Sequence, residues 1–225
     1  MKISKFAVAI ALIVPMAAQA QVPDAQINRL GGDLTPIGAE KAGEGDVPAW
    51  TGGLQTVPSN VTYKPGDHLQ DPFASDPIKY TINAGNAAQY DAILTEGQKA
   101  MMKAYPDYKL NVYQTRRSCA YPDNVYAATK NNAKVGVLNG GGSGVGGAIM
   151  GFPFPIPNNA NEIMWNHTLR YRSFKTVRQF AAAPVTRSGD YTLTIVQDEA
   201  ILNWSDPAKK SAEELNNISL YYIAN

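Results

Sequence analysis

The chain has 225 residues, 44% of them hydrophobic and 17% charged, with 20 Lys and Arg against 19 Asp and Glu. This balance excludes a disordered polyelectrolyte, and it leaves no long-range positive field to draw in DNA or RNA, so nucleic acid is not an expected partner. The one cysteine, Cys119, cannot close an internal disulfide, so stability has to come from a packed core.

Residues 1–20 read as a cleaved export signal. Lys2 and Lys5 form its charged start, Phe6 to Val14 an apolar stretch too short to span a bilayer, and Ala18-Gln-Ala20 the small-x-small cutting pattern. The mature protein is therefore expected to begin at Gln21 in the periplasm, with no cysteine at that position to carry a lipid anchor. Removing the signal leaves 18 basic and 19 acidic residues. No later stretch is long and apolar enough for a transmembrane segment. Residues 21–77 hold seven of the fifteen prolines and no sustained period. They are expected to form an extended, turn-rich wrapping segment whose isolated Ile37, Trp50 and Leu54 plug into a core built elsewhere.

Residues 78–225 are expected to form an α+β sheet domain. From Ala84 to Tyr105, Tyr90, Ile93, Leu94, Gly97, Met101 and Ala104 recur at three- and four-residue spacing, which predicts one long amphipathic helix stopped by Pro106. Gly97 within that stripe implies a close neighbour, with a sheet the natural candidate. Tyr108–Tyr113 alternates as a strand, and Arg116–Tyr121 can return antiparallel to it. Val135–Leu138 is a weaker strand. Leu169–Phe180 and Asp190–Val196 are longer ones, and Ala200–Trp204 extends or follows the second. After a helix-like start at Ala212–Asn216, Ile218–Ile223 is β-prone and ends abruptly, which predicts a continuation covering that last edge. Short links between strands mean an antiparallel sheet with the long helix on one face.

The motifs yield no catalytic, metal or cofactor residue, so the chain is not read as an enzyme. Gly142-Ser-Gly-Val-Gly-Gly147 fits G-x-G-x-x-G, but prolines from Pro153 onward forbid the helix that would hold a pyrophosphate, and a tightly turning glycine loop is the better reading. His68 and His167 have no partners at metal-ligand spacing, and Ser143 lacks a proper nucleophile elbow. Cys119 follows Arg116 and Arg117 but has no nearby histidine, and reads as a small buried residue.

Two features remain as ligand or partner candidates. Alternating prolines in Gly151–Pro157 stiffen an extended segment that presents Phe152, Phe154 and Ile156, followed by Trp165. This edge can line a cleft, or it can be a stiff connector whose aromatics fill the core. Arg170, Arg172 and Arg178 share one parity of the strand from Leu169 and would project from one sheet face, to grip an anionic group or to form an ordinary solvated face.

Several stretches together carry a resemblance. They are Leu34–Gly43, Pro48–Gly53, the helix containing Tyr90–Lys99, Val112–Arg117, Pro153–Pro157 and Trp165-Asn-His167. In this order they resemble a proteobacterial family of exported proteins of unknown function, often labelled outer-membrane lipoprotein-sorting proteins. The resemblance implies a curved antiparallel half barrel similar to the carrier LolA and the receptor LolB, which shelter acyl chains. It also implies a genetic setting beside a resistance-nodulation-division-type transporter and an outer-membrane protein. Members of the family are considerably longer, so this chain is expected to be a truncated one. The resulting expectation is a periplasmic binding or carrier protein for lipid-like or other hydrophobic molecules. The alternative is a non-catalytic adaptor docking on a transporter or outer-membrane protein.

Overall fold

The computed structural model describes residues 22–64, 67–215 and, as backbone, 220–224; the export-signal stretch lies outside them. The described residues from 22 to 79 form one single-turn helix, α1 (Asp24–Ile27), and otherwise run as turns and isolated bridges. Its apolar residues are anchored on later elements. Ile27, Leu30 and Leu34 form a buried cluster with Ala133, and Ile156 packs against it.

The first sheet pairs β1 (Tyr80–Asn83) with β2 (Lys109–Val112) antiparallel, with Ile82 opposite Leu110. The single long helix expected over Ala84–Tyr105 is instead a 3-10 turn at Ala87–Tyr90 and a separate α2 (Glu96–Ala104). Thr95 is the cause. Its Oγ1 accepts from the Gln98 amide at 3.2 Å while Gln98 Oε1 accepts from the Thr95 amide at 2.9 Å, a reciprocal cap that starts a new helix. Leu94 and Met102 consequently join Ile82 in a buried cluster, Ile93 and Met101 face solvent, and Gly97 meets no closely packed neighbour.

Arg116–Tyr121 was expected to return antiparallel to β2; it is coil, and β2 pairs with β1 instead. The longest helix among the described residues follows, α3 (Asp123–Val135), with Val125, Thr129, Asn132 and Ala133 buried. Strands β3 (Val137–Asn139) and β4 (Gly144–Gly146) then form a hairpin turned by Gly140–Gly142, so the glycine run leads into no helix. Helix α4 (Ala160–Thr168) starts at Asn159, whose Oδ1 accepts from the Glu162 amide at 3.0 Å.

The third sheet orders β5 (Lys175–Ala182), β6 (Thr194–Ile201) and β7 (Leu220–Ala224), all antiparallel. The strand expected from Leu169 starts only at Lys175, because Ser173 adopts a left-handed φ of 74° and turns the chain. Asn203–Ser205 is a 3-10 turn, not a strand. Among the described residues the fold is therefore α+β with short antiparallel sheets of two, two and three strands, none closed. It is not one sheet carrying one long helix. Among the described residues, no helix is long and apolar enough to cross a membrane.

Candidate binding cleft

The wrapping segment is pinned to the coil before α3 by one side chain above all. The Arg117 guanidinium donates to four backbone carbonyls, those of Glu40 (2.6 Å), Lys41 (3.3 Å), Ala42 (3.3 Å) and Pro48 (3.4 Å). A planar fork with five donors suits a loop curled around it, and it satisfies carbonyls that a turn-rich segment cannot pair in a sheet. Trp50 Nε1 donates to the Cys119 carbonyl at 3.1 Å, and the Leu54 amide to that of Ser118 at 2.8 Å.

Between these two stretches of chain lies a cleft of ≈270 Å³. Pro36, Ile37 and Trp50 form one wall; Cys119, Tyr121 and Tyr126 form the other. Tyr121 is held by edge-on ring contacts to Tyr126, Phe152 and Tyr171, and its amide donates to the Tyr126 hydroxyl at 2.8 Å. Burial pushes the Tyr121 hydroxyl above its usual pKa, so it stays neutral. Arg116 borders the cleft but is committed elsewhere: Nε and Nη2 donate to the two Asp76 oxygens at 2.7 and 2.6 Å, and the guanidinium stacks 4.3 Å from the Phe73 ring centre. Both arginines at the cleft are thus engaged, and a guest meets chiefly apolar and aromatic wall. The volume falls just below the ~300 Å³ at which small-molecule sites begin. Cys119 was expected to be buried; it is exposed, because its backbone carbonyl rather than its side chain is what the fold uses.

The proline-stiffened edge is turned inward. Phe154 is 7% exposed, Phe152 and Ile156 are half-buried, and the recess beside Phe154 and Ile156 is ≈30 Å³, room for about one water. Two asparagines hold this stretch. Asn132 exchanges bonds with the Ile149 backbone (2.8 and 3.1 Å) and donates to Phe152, and Asn166 does the same with the Phe154 backbone (2.6 and 2.9 Å). Trp165 Nε1 donates to the Gly142 carbonyl at 2.9 Å.

The three arginines do not share a strand face: Arg170 and Arg172 precede Ser173 in coil, and only Arg178 belongs to β5, where its register partner and ion-pair partner is Asp198. Ser143 Oγ donates to the carbonyl of Gly140 within its own turn. Among the described residues, no group of three or more His, Cys, Asp or Glu is placed to hold a metal ion. Sequence reasoning missed Tyr121 and Tyr126 as cleft residues, and saw Ile37 and Trp50 as core plugs. The signal available was the pair of arginines flanked by aromatics on both sides.

Comparison with known proteins adds the following. The chain is 44% identical over 173 residues to the uncharacterized protein PA3922 of Pseudomonas aeruginosa, a match covering 76% of this chain and 38% of that relative. No solved structure matches. Residues 81–225 match the family described as protein of unknown function (DUF1329), and the chain belongs to that family.

Proposed function

We propose that the chain is a non-catalytic binding protein of the cell envelope that holds an apolar, lipid-like moiety in the cleft between the wrapping segment and Arg116–Tyr126. The observation that carries this reading is the preformed ≈270 Å³ cleft whose two neighbouring guanidiniums are already satisfied. An uncharged guest there strands no buried charge, and each methylene removed from water contributes about 0.8 kcal/mol. The export-signal pattern supports a periplasmic setting. The family resemblance supports transfer of the guest in concert with a resistance-nodulation-division-type transporter or an outer-membrane protein. The finer architecture that goes with this reading is a curved half barrel of the LolA and LolB kind, supported by the β5–β7 sheet and the resemblance. Release is assigned to a partner that binds the guest more tightly.

Native mass spectrometry of the protein purified from periplasm tests this. An apolar adduct that organic solvent removes is the expected result; bare protein that also fails to take up a neutral fluorescent probe contradicts it.

A second reading, an adaptor that docks on an envelope protein, is favoured by the β5–β6 hairpin. Val177, Leu193 and Ile195 there are each more than half exposed. Large exposed apolar side chains grouped on one hairpin suit a protein interface. If a Val177→Lys and Ile195→Lys variant loses co-purification with the transporter while the chain never carries an adduct, this reading replaces the first.

A further inference from the structure

Away from the cleft, a groove of ≈410 Å³ is lined by Arg172, Lys175 and Arg178 at the start of β5 and by Tyr63 of the wrapping segment. A recess of ≈30 Å³ adjoins it at Arg172 and Leu202 and adds Arg170 and Trp204 to the lining. In a chain whose charges nearly cancel, this is a local concentration of cations. The acid that lines up with it, Asp198, is occupied: Arg178 donates to it from Nε at 2.8 Å and from Nη2. Glu199, next along β6, lies on the sheet face opposite Arg178 and on the same face as Lys175, with which it forms no ion pair.

The groups left over all have the same character. Arg172 and Lys175 have no acidic partner among the described residues. Trp204 is 5% exposed, and its indole N–H finds no acceptor among them. A guanidinium and an ammonium are donors only, and both here are exposed to an incoming acceptor. The left-handed turn at Ser173 is what brings Arg172 to the same groove as Lys175. We propose that this groove is an oxyanion site, in which Arg172 and Lys175 bind a carboxylate or phosphate group beside the recess that Trp204 lines.

Arg172 is the anchor, because its fork matches two oxygens of such a group at once. The site is separate from the apolar cleft and selects the opposite chemistry, so either assignment can fail without the other.

The test titrates the purified full chain with inorganic phosphate and with octanoate, following heat of binding and the ¹⁵N-indole resonance of Trp204. Sedimentation with phosphatidylglycerol vesicles, and with phosphatidylcholine vesicles as the uncharged control, runs beside it. Saturable binding of a free anion that moves the Trp204 resonance is expected, weakened at least roughly tenfold by Arg172→Gln and by Lys175→Gln and largely restored in Arg172→Lys. Sedimentation with the anionic vesicles only, competed by phosphate, identifies a lipid headgroup as the source; free-anion binding without sedimentation identifies a soluble one. The proposal is overturned if neither free anion nor anionic vesicle binds. It is equally overturned if binding survives undiminished in the folded Arg172→Gln, Lys175→Gln double variant.

Discussion

Trp50 and Cys119 face each other across 69 residues of sequence, and the indole N–H of the first donates to the backbone carbonyl of the second at 3.1 Å. This bond joins the two walls of the cleft. It explains why the segment rich in proline and glycine carries a tryptophan: the ring supplies wall area and its N–H fixes the spacing.

Arg117 does the same on a larger scale. Replacing it with alanine removes a donor from four carbonyls, of which that of Lys41 keeps the Trp50 amide, and the 40–48 stretch should loosen. The expected loss of unfolding free energy is about 2 kcal/mol, measured by denaturant titration, with cleavage by a nonspecific protease appearing in that stretch. Arg117→Lys should recover little, since a point charge cannot reach four carbonyls arranged around a fork.

Asn132 is 1% exposed and bonds the Ile149 backbone in both directions. Asn132→Ala should destabilise the chain by about 2–3 kcal/mol through the buried groups it orphans. Asn132→Asp should do at least as much harm at neutral pH, because a carboxylate would face the carbonyls of Ile149 and Phe152 where the amide donated to them. Thermal unfolding of both variants checks this.

Asp76 gives a pH signature. The Arg116 guanidinium bonded to it holds its carboxyl below the usual carboxylate range, against the opposing effect of burial and with help from Gln114. A depressed folded-state value stabilises above the unfolded value and is lost as pH falls through the folded one. Asp76→Asn should therefore be less stable than the parent chain at neutral pH, and the two should converge once pH drops well below about 4. Denaturation midpoints across a pH series measure it; a constant difference at every pH would exclude the mechanism.

Gly38 has φ of 96°, and a Cβ there would collide with the Pro155 carbonyl oxygen. Gly38→Ala should cost at least about 2 kcal/mol and loosen the wrapping segment from the proline-rich stretch. Hydrogen exchange should rise around residues 34–39 while β5 and β6 keep their protection.

The α+β class, the strand at 108–113 and most of β5 were legible because their alternating or β-branched runs follow one local rule each, whereas the strand read at 190–196 starts only at Thr194 and runs on to Ile201. The break before α2 was missed: Thr95-Glu-Gly-Gln98 is a capping box, but the apolar stripe running across it suggested continuity. Helix α3 was hidden for a different reason. Two of its four buried residues, Thr129 and Asn132, are polar, and they face inward because they bond the backbone of residues 149–152. Helix α4 repeats this with Glu162, which caps its start, and Asn166, which clamps Phe154. A periodicity argument counts only apolar side chains, so inward faces built from amides escape it. The arginine cluster was visible as three residues, but its geometry depends on a left-handed Ser173 that no local pattern announces.

The cleft can be tested most directly through Cys119, the one thiol in the chain, exposed and on the cleft wall. The measurement is equilibrium binding of the neutral probe N-phenyl-1-naphthylamine before and after alkylation of Cys119 with N-ethylmaleimide. Saturable one-to-one binding that alkylation abolishes, and that Cys119→Ser restores under the same treatment, is the predicted result. Absence of saturable binding, or binding that the alkylated protein retains in full, would contradict an apolar guest in this cleft.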